Sequence, residues 1–185
     1  MPVSERDLTA RAQNGDVAAF DELVSRHQDR VFTLAYHILG DAEDAADVQQ
    51  DAFLLAWKNL RSFRGQASFG TWLHKITVNC CMSVKRKKTA YVYHEELDED
   101  EPICSGQTAT VCQDTLINAI TVRQLLADLP ERARIALLLR EVDGMSIDEI
   151  ADVMGASYRA VVQQLWRARK LFRERFRQYF TEDTK

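Results

Sequence analysis

Asp44, Asp47 and Asp51 recur at three- and four-residue spacing in AEDAADVQQDAF, which lines side chains along one side of a helix. Such a stripe could ligate a metal, dock a basic partner or simply stay solvated. Metal ligation is the weakest reading, because the stripe has no histidine and no second stripe to close a site. Electrostatic docking fits better, with Asp41 and Glu43 adding charge nearby. Further on, Phe63, Arg64, Phe69, Trp72, His74, Lys75 and Asn79 mix aromatic, basic and amide side chains. That composition can hold unstacked bases: rings stack on them, cations grip the backbone and an amide reads an edge. In a small helical domain Phe69 and Trp72 serve equally well as core, and the sequence leaves that choice open.

A third grouping lies in SIDEIADVMGASYRAVVQQLWRARKLF. Ser146 and Glu149 have the spacing of a capping box, in which each side chain satisfies a backbone amide of the first helical turn. Ile147, Ile150, Val153 and Met154 give a short helix its buried side. Gly155 suits the left-handed residue that ends it, and Ser157 can cap a second helix. On that second helix Val161, Leu165, Ala168 and Phe172 share one face, while Arg159, Gln163, Trp166 and Lys170 share another. Arg167, Arg169, Arg173, Arg175 and Arg177 add charge, against the single acid Glu174. The pattern is a helix-turn-helix whose second helix can reach phosphates and base edges in the major groove. A solvated basic face in a helical bundle is the alternative.

These groups need helices to position them. The chain has 185 residues, 46% hydrophobic and 28% charged, with 7 glycines and 3 prolines, which favours an all-α protein of one medium or two small domains. Phe20, Leu23, Val24, Val31, Leu34, Ala35 and Ile38 mark one buried helical face, and Gly40-Asp41 stops that helix and caps the next. SFRGQASFG reads as a loop, and TWLHKITVNCCMSVKRKK as a helix with a cationic end that suits the helix dipole. The expected division is an N-terminal tail over 1–15, a helical domain over 16–88, an acidic linker over 89–114 and a second helical domain over 115–182. A net charge of −4 and a pI near 5.6 do not suggest a nucleic-acid binder, but opposite patches cancel in such sums.

No stretch has the apolar length of a signal peptide or a membrane span, so a cytoplasmic chain with reduced cysteines and no membrane insertion of its own is expected. Cys80 and Cys81 read as packing or surface thiols, and Cys104 with Cys112, both in the linker, could form a redox switch. No phosphate loop, nucleophile–base pair or metal cluster supports an enzyme, and no cofactor is implied. A conventional helix-turn-helix regulator would need a ligand-binding or dimerisation domain where this chain has its aromatic-basic block.

Three stretches together, LGDAEDAADVQQDAFLLAWKNLRSFRG, SFGTWLHKITVN and LPERARIALLLREVDGMSIDEIADVMGASYRAVVQQLWRARKLFRERF, resemble the extracytoplasmic-function group of sigma factors in the sigma-70 family. The resemblance implies two small helical domains, sigma regions two and four, joined by a flexible linker. It implies that Asp44, Asp47, Gln50 and Asp51 grip core RNA polymerase. Residues 63–88 would melt and read the minus-ten promoter element, through Arg64, Phe69, Trp72, Lys75, Lys85, Arg86 and Lys87, with a flipped base captured near Asn79. The second helix of the C-terminal motif would bind the minus-thirty-five element through Ser157, Arg159, Gln163, Trp166, Arg167, Arg169 and Lys170. An anti-sigma factor would hold the protein inactive. The cations of KRKK, 85–88, would then face promoter phosphates, and the acids of EELDEDE, 95–101, would open a linker threading the basic channel of the polymerase. The chain departs from the family where Arg159-Ala160 replaces the usual Gly-Thr, and where Val162 and Gln164 replace the usual cations.

Overall fold

The structure, a computed structural model, describes residues 3–95, 122 and 124–182. Among them no strand forms. The helices are α1 (Glu5–Gln13), α2 (Val17–Leu39), α3 (Ala42–Asn59), α4 (Phe69–Glu95), α5 (Glu131–Glu141), α6 (Ile147–Met154) and α7 (Tyr158–Glu182), with a short 3₁₀ turn at Leu60–Ser62. The all-α, two-region architecture expected from the sequence is the one observed. The acids 96–101, Cys104 and Cys112 lie outside the described residues, so the threading role and the redox pair fall there too.

Local chemistry sets the helix ends. Asp16 accepts from the Ala19 amide at the start of α2, and Gly40, at φ +82°, ends that helix in the left-handed conformation that glycine adopts without steric penalty. Asp41 then accepts from the amides of Glu43 and Asp44, each at 2.9 Å. Ser68 accepts from Thr71 N at 3.0 Å, so α4 begins at Phe69. The capping box at α6 is complete: Ser146 Oγ accepts from Glu149 N at 3.2 Å, and Glu149 Oε2 accepts from Ser146 N at 2.9 Å.

The Ser146 amide and then its hydroxyl hold the Glu149 carboxyl below the ordinary glutamate range, and a hydrogen bond from Thr71 adds to this. A carboxyl depressed in the folded state stabilises fully above its unfolded value and loses that contribution as the pH falls through the folded one. The stability curve of Glu149→Gln should therefore run closest to that of the parent below the ordinary glutamate range and diverge above it. Urea titrations from neutral to acid pH would show this, and parallel curves would exclude it. Ser146→Ala, which removes the cap itself, should cost about 1 kcal/mol at neutral pH.

Two clusters of apolar side chains hold the helices together. One lies beneath α1, α2, α3 and the start of α4, and includes Leu8, Phe20, Leu23, Phe53, Leu60, Phe69 and Leu73. The other joins Leu34, Ile38, Val48, Val78 and Cys81 to Ile135, Leu139, Ile150, Val161 and Leu165, so the N- and C-terminal helices share a core. Fully buried leucines and isoleucines such as Leu23, Ile38, Leu73 and Leu139 each contribute about 1.5–3 kcal/mol relative to exposure. Polar contacts cross the same boundary. Thr71 Oγ1 donates to Glu149 Oε1 at 3.1 Å, Lys85 pairs with Glu131 at 2.9 Å, and His74 Nε2 lies 3.2 Å from Asp143 Oδ1 with both side chains buried. The segment expected as an N-terminal tail contains α1, which packs Leu8 and Ala12 against the first cluster.

Candidate nucleic-acid interface

The acidic stripe forms on α3, whose buried side carries Ala45, Val48, Ala52, Phe53 and Ala56. Asp47, Gln50 and Asp51 are exposed on the other side. Asp44 is half-buried and bound by Lys88 at the far end of α4, so its charge is already partly answered within the chain. Leu54, 56% exposed, continues the exposed face one helical turn beyond Asp51. Sequence reasoning passed over it. Its signal was the run FLLAW: Phe53 and Ala56 follow the buried phase, and Leu54 does not.

The aromatic-basic block divides into support and surface. Phe69 is 2% exposed and lies edge-on to Phe63, with ring centroids 6.3 Å apart, so it belongs to the core and cannot offer a face to a base. Trp72 is half-buried and tilted against Phe63 at 5.0 Å. Arg64, Lys75 and Asn79 are exposed. Phe63, Arg64, Trp72 and Lys75 line one side of a cleft of about 420 Å³, and Asp152 and Val153 of α6 line the other. Buried His74 donates through Nδ1 to the Gly70 carbonyl at 2.6 Å and serves the start of α4 rather than the surface. The KRKK block splits in the same way. Lys85 and Lys88 are tied to Glu131 and Asp44, while Arg86 and Lys87 are exposed.

Cys80 and Cys81 are free thiols on α4. Burial pushes Cys81 up to about 12 and raises Cys80 as well, so both are poor nucleophiles at neutral pH.

The C-terminal motif folds as its pattern implies. Gly155, at φ +57°, ends α6, and Ser157 Oγ accepts from Ala160 N at 3.2 Å as α7 begins. Val161, Leu165 and Ala168 are buried against the rest of the region, leaving Arg159, Gln163, Trp166, Arg167 and Lys170 exposed. Trp166 is 64% exposed, and the Lys170 ammonium sits 5.4 Å from its ring centroid, within cation–π range. Arg169 instead points to Glu141 of α5, 2.7 Å away, so it helps fasten α7 to its neighbour. Among the described residues no group of His, Cys, Asp or Glu is placed to hold a metal, and no helix is long and apolar enough to cross a membrane.

A helix-turn-helix with an exposed aromatic-basic second helix, together with the exposed cations Arg64 and Lys75 of the N-terminal helical region at the cleft it shares with α6, defines a DNA-binding protein of two helical regions. The Sigma-70 region 2 family model matches residues 23–91, and the Sigma-70, region 4 model matches residues 120–172. The chain is 34% identical over 176 residues to the ECF RNA polymerase sigma-E factor of Escherichia coli K12, covering 91% of this chain and 92% of that one. It is 33% identical over 174 residues to the RNA polymerase sigma-H factor of Pseudomonas aeruginosa, covering 90% of each. The solved structure of CnrH in complex with the cytosolic domain of CnrY superimposes with a TM-score of 0.70 at 25% identity, over 98% of this chain and 99% of that one. The sigma factor RpoE of Bartonella quintana, solved with the anti-sigma factor NepR, shares the fold with a TM-score of 0.71 at 21% identity, over 85% and 96% of the two chains. The chain belongs to the extracytoplasmic-function sigma factors of the sigma-70 family.

Proposed function

We propose that this sigma factor docks on core RNA polymerase through the exposed face of α3, at Asp47, Gln50, Asp51 and Leu54, with Asp44 at its edge. The cleft around Arg64, Trp72 and Lys75, followed along α4 by Asn79, Arg86 and Lys87, opens and reads the minus-ten element. Arg159, Gln163, Trp166, Arg167 and Lys170 of α7 bind the minus-thirty-five element, and Ser157 sets the start of that helix. Lys85 and Arg169, bound to Glu131 and Glu141, reach DNA only by exchanging those acids for phosphates. The observation that carries this reading is the partition of side chains at the surface: acids and an apolar residue on α3, exposed cations beside half-buried aromatics on the cleft, and exposed cations with Trp166 on α7. The protein acts as a transcription factor in the cell interior, not as an enzyme.

Regulation by an anti-sigma factor is part of the proposal, supported by the fold shared with a sigma factor solved in such a complex. The contact of Thr71 with Glu149 also sets α6 beside the cleft that DNA would enter, while Lys85 ties α4 to α5 further along. A partner that favours this closed arrangement would keep promoter DNA out. The test is transcription in vitro with core polymerase on a library randomised across both promoter elements. Enrichment of a two-part motif is expected, and transcripts independent of either element would overturn the reading.

A further inference from the structure

The segment between α3 and α4 carries Phe63 and Arg64 into the cleft, and it is held at one end by Gln13 of α1 and at the other by His27 of α2. At its entrance, Gln13 Nε2 donates to the carbonyls of Leu60, at 3.0 Å, and Phe63, at 2.7 Å. One amide group thus reaches 47 and 50 residues along the chain to fix the turn from which the segment departs. Its two N–H groups account for both bonds, and the two carbonyls flank the residues whose orientation decides where Arg64 points. At its exit, His27 packs against Phe69, with ring centroids 5.4 Å apart, and a Cβ on Gly70 would lie 3.1 Å from His27 Cε1. Glu5 of α1 lies 3.0 Å from His27 Nε2. With Nε2 donating to that carboxylate, Nδ1 is buried with no hydrogen-bond partner among the described residues, so packing and Glu5 hold the ring.

Resting on the minus-ten reading proposed above, we infer that Gln13 is a positioning residue for base recognition: its amide fixes the backbone that presents Phe63 and Arg64 to the cleft. Gln13 itself touches no DNA. The effect is conformational: a segment free to depart from Leu60 at several angles spreads Arg64 over several positions, and discrimination between bases falls before affinity for the backbone does.

The experiment uses holoenzyme assembled from core polymerase and the full chain, with labelled promoter duplexes carrying every single-base change across the two elements. Gln13→Met keeps the length of the side chain and removes both donors. It should lower discrimination at minus-ten positions about fivefold, the scale of a lost neutral hydrogen bond. Affinity for core polymerase and preferences at the minus-thirty-five element should stay as they were. Gln13→Lys, whose ammonium can donate to both carbonyls, should recover most of the loss. Arg64→Ala and Lys75→Ala test the underlying reading in the same assay. If these two lose minus-ten discrimination and Gln13→Met does not, the positioning role is overturned alone. If Arg64→Ala and Lys75→Ala also keep it, the minus-ten reading of the cleft fails with it. A Gln13→Met protein that loses core binding and both promoter elements together would show a structural role only, and would also overturn the inference.

Discussion

Asp47→Arg combined with Asp51→Arg is expected to weaken binding to core polymerase about tenfold at low salt, while the fold stays intact. Both carboxylates are exposed and lie one helical turn apart on α3, so reversing them removes a docking charge without emptying a core position. Asp44 is the wrong residue for this experiment. Lys88 already holds it, and Asp44→Arg would set two cations together inside the chain and confuse docking with stability. Electrostatic docking weakens with ionic strength, so the gap between parent and variant should narrow as salt rises past the range where surface charges are screened. Leu54→Ser supplies the complementary arm, since an apolar contact should cost affinity by a similar amount at low and high salt. Titration of fluorescent sigma factor with core polymerase reads both effects. Unchanged affinity of the Asp47/Asp51 variant at low salt would remove these carboxylates from the interface, and unchanged affinity of Leu54→Ser as well would remove α3.

The parts of this fold that were legible in the sequence are those written in local chemistry. The Ser146 and Glu149 box, the left-handed Gly155 and the serine at 157 each act within a few residues of their partners, so spacing alone exposes them. The buried and exposed faces of α7 follow from period, because Val161, Leu165 and Ala168 are apolar enough to set the phase. What was not legible depends on distant partners. Lys88 meets Asp44 from 44 residues away, and no pattern near KRKK distinguishes it from exposed Lys87. α1 hides for another reason. Its buried residues are only Leu8, Thr9 and Ala12, too few to mark a helical face, and Gln13 looks like any polar residue before a Gly-Asp turn. Phe69 was ambiguous because a ring that stacks on a base and a ring that fills a core have the same side chain. Only the packing of Phe63, Trp72 and His27 around it decides.

The recognition helix gives the most discriminating prediction, because base reading and backbone grip leave different signatures. Val162 and Gln164 stand where relatives commonly carry cations, so α7 has fewer groups to neutralise phosphates, and its affinity should fall less steeply with salt. On the proposed recognition face the grip that remains comes from Arg167, Lys170 and Arg159, all exposed, because Arg169 is drawn to Glu141. Gln163 shares the exposed face with Arg159 and Trp166, and its amide can offer a donor–acceptor pair to adenine. Gln163→Ala should therefore cost about 1–3 kcal/mol at one base position of the upstream element and little elsewhere. Arg167→Ala should weaken every sequence alike and lower the salt slope by about one. Trp166→Ala acts in two ways: it removes the ring available to a sugar or thymine methyl and frees the Lys170 ammonium that lies over that ring. Its effect should thus spread over neighbouring positions rather than fall on one. Holoenzyme binding to single-base variants of the upstream element, repeated at several salt concentrations, separates the three. If neither Gln163→Ala nor Trp166→Ala changes any base preference, α7 grips the duplex by its backbone, and sequence choice at this promoter must come from the minus-ten cleft.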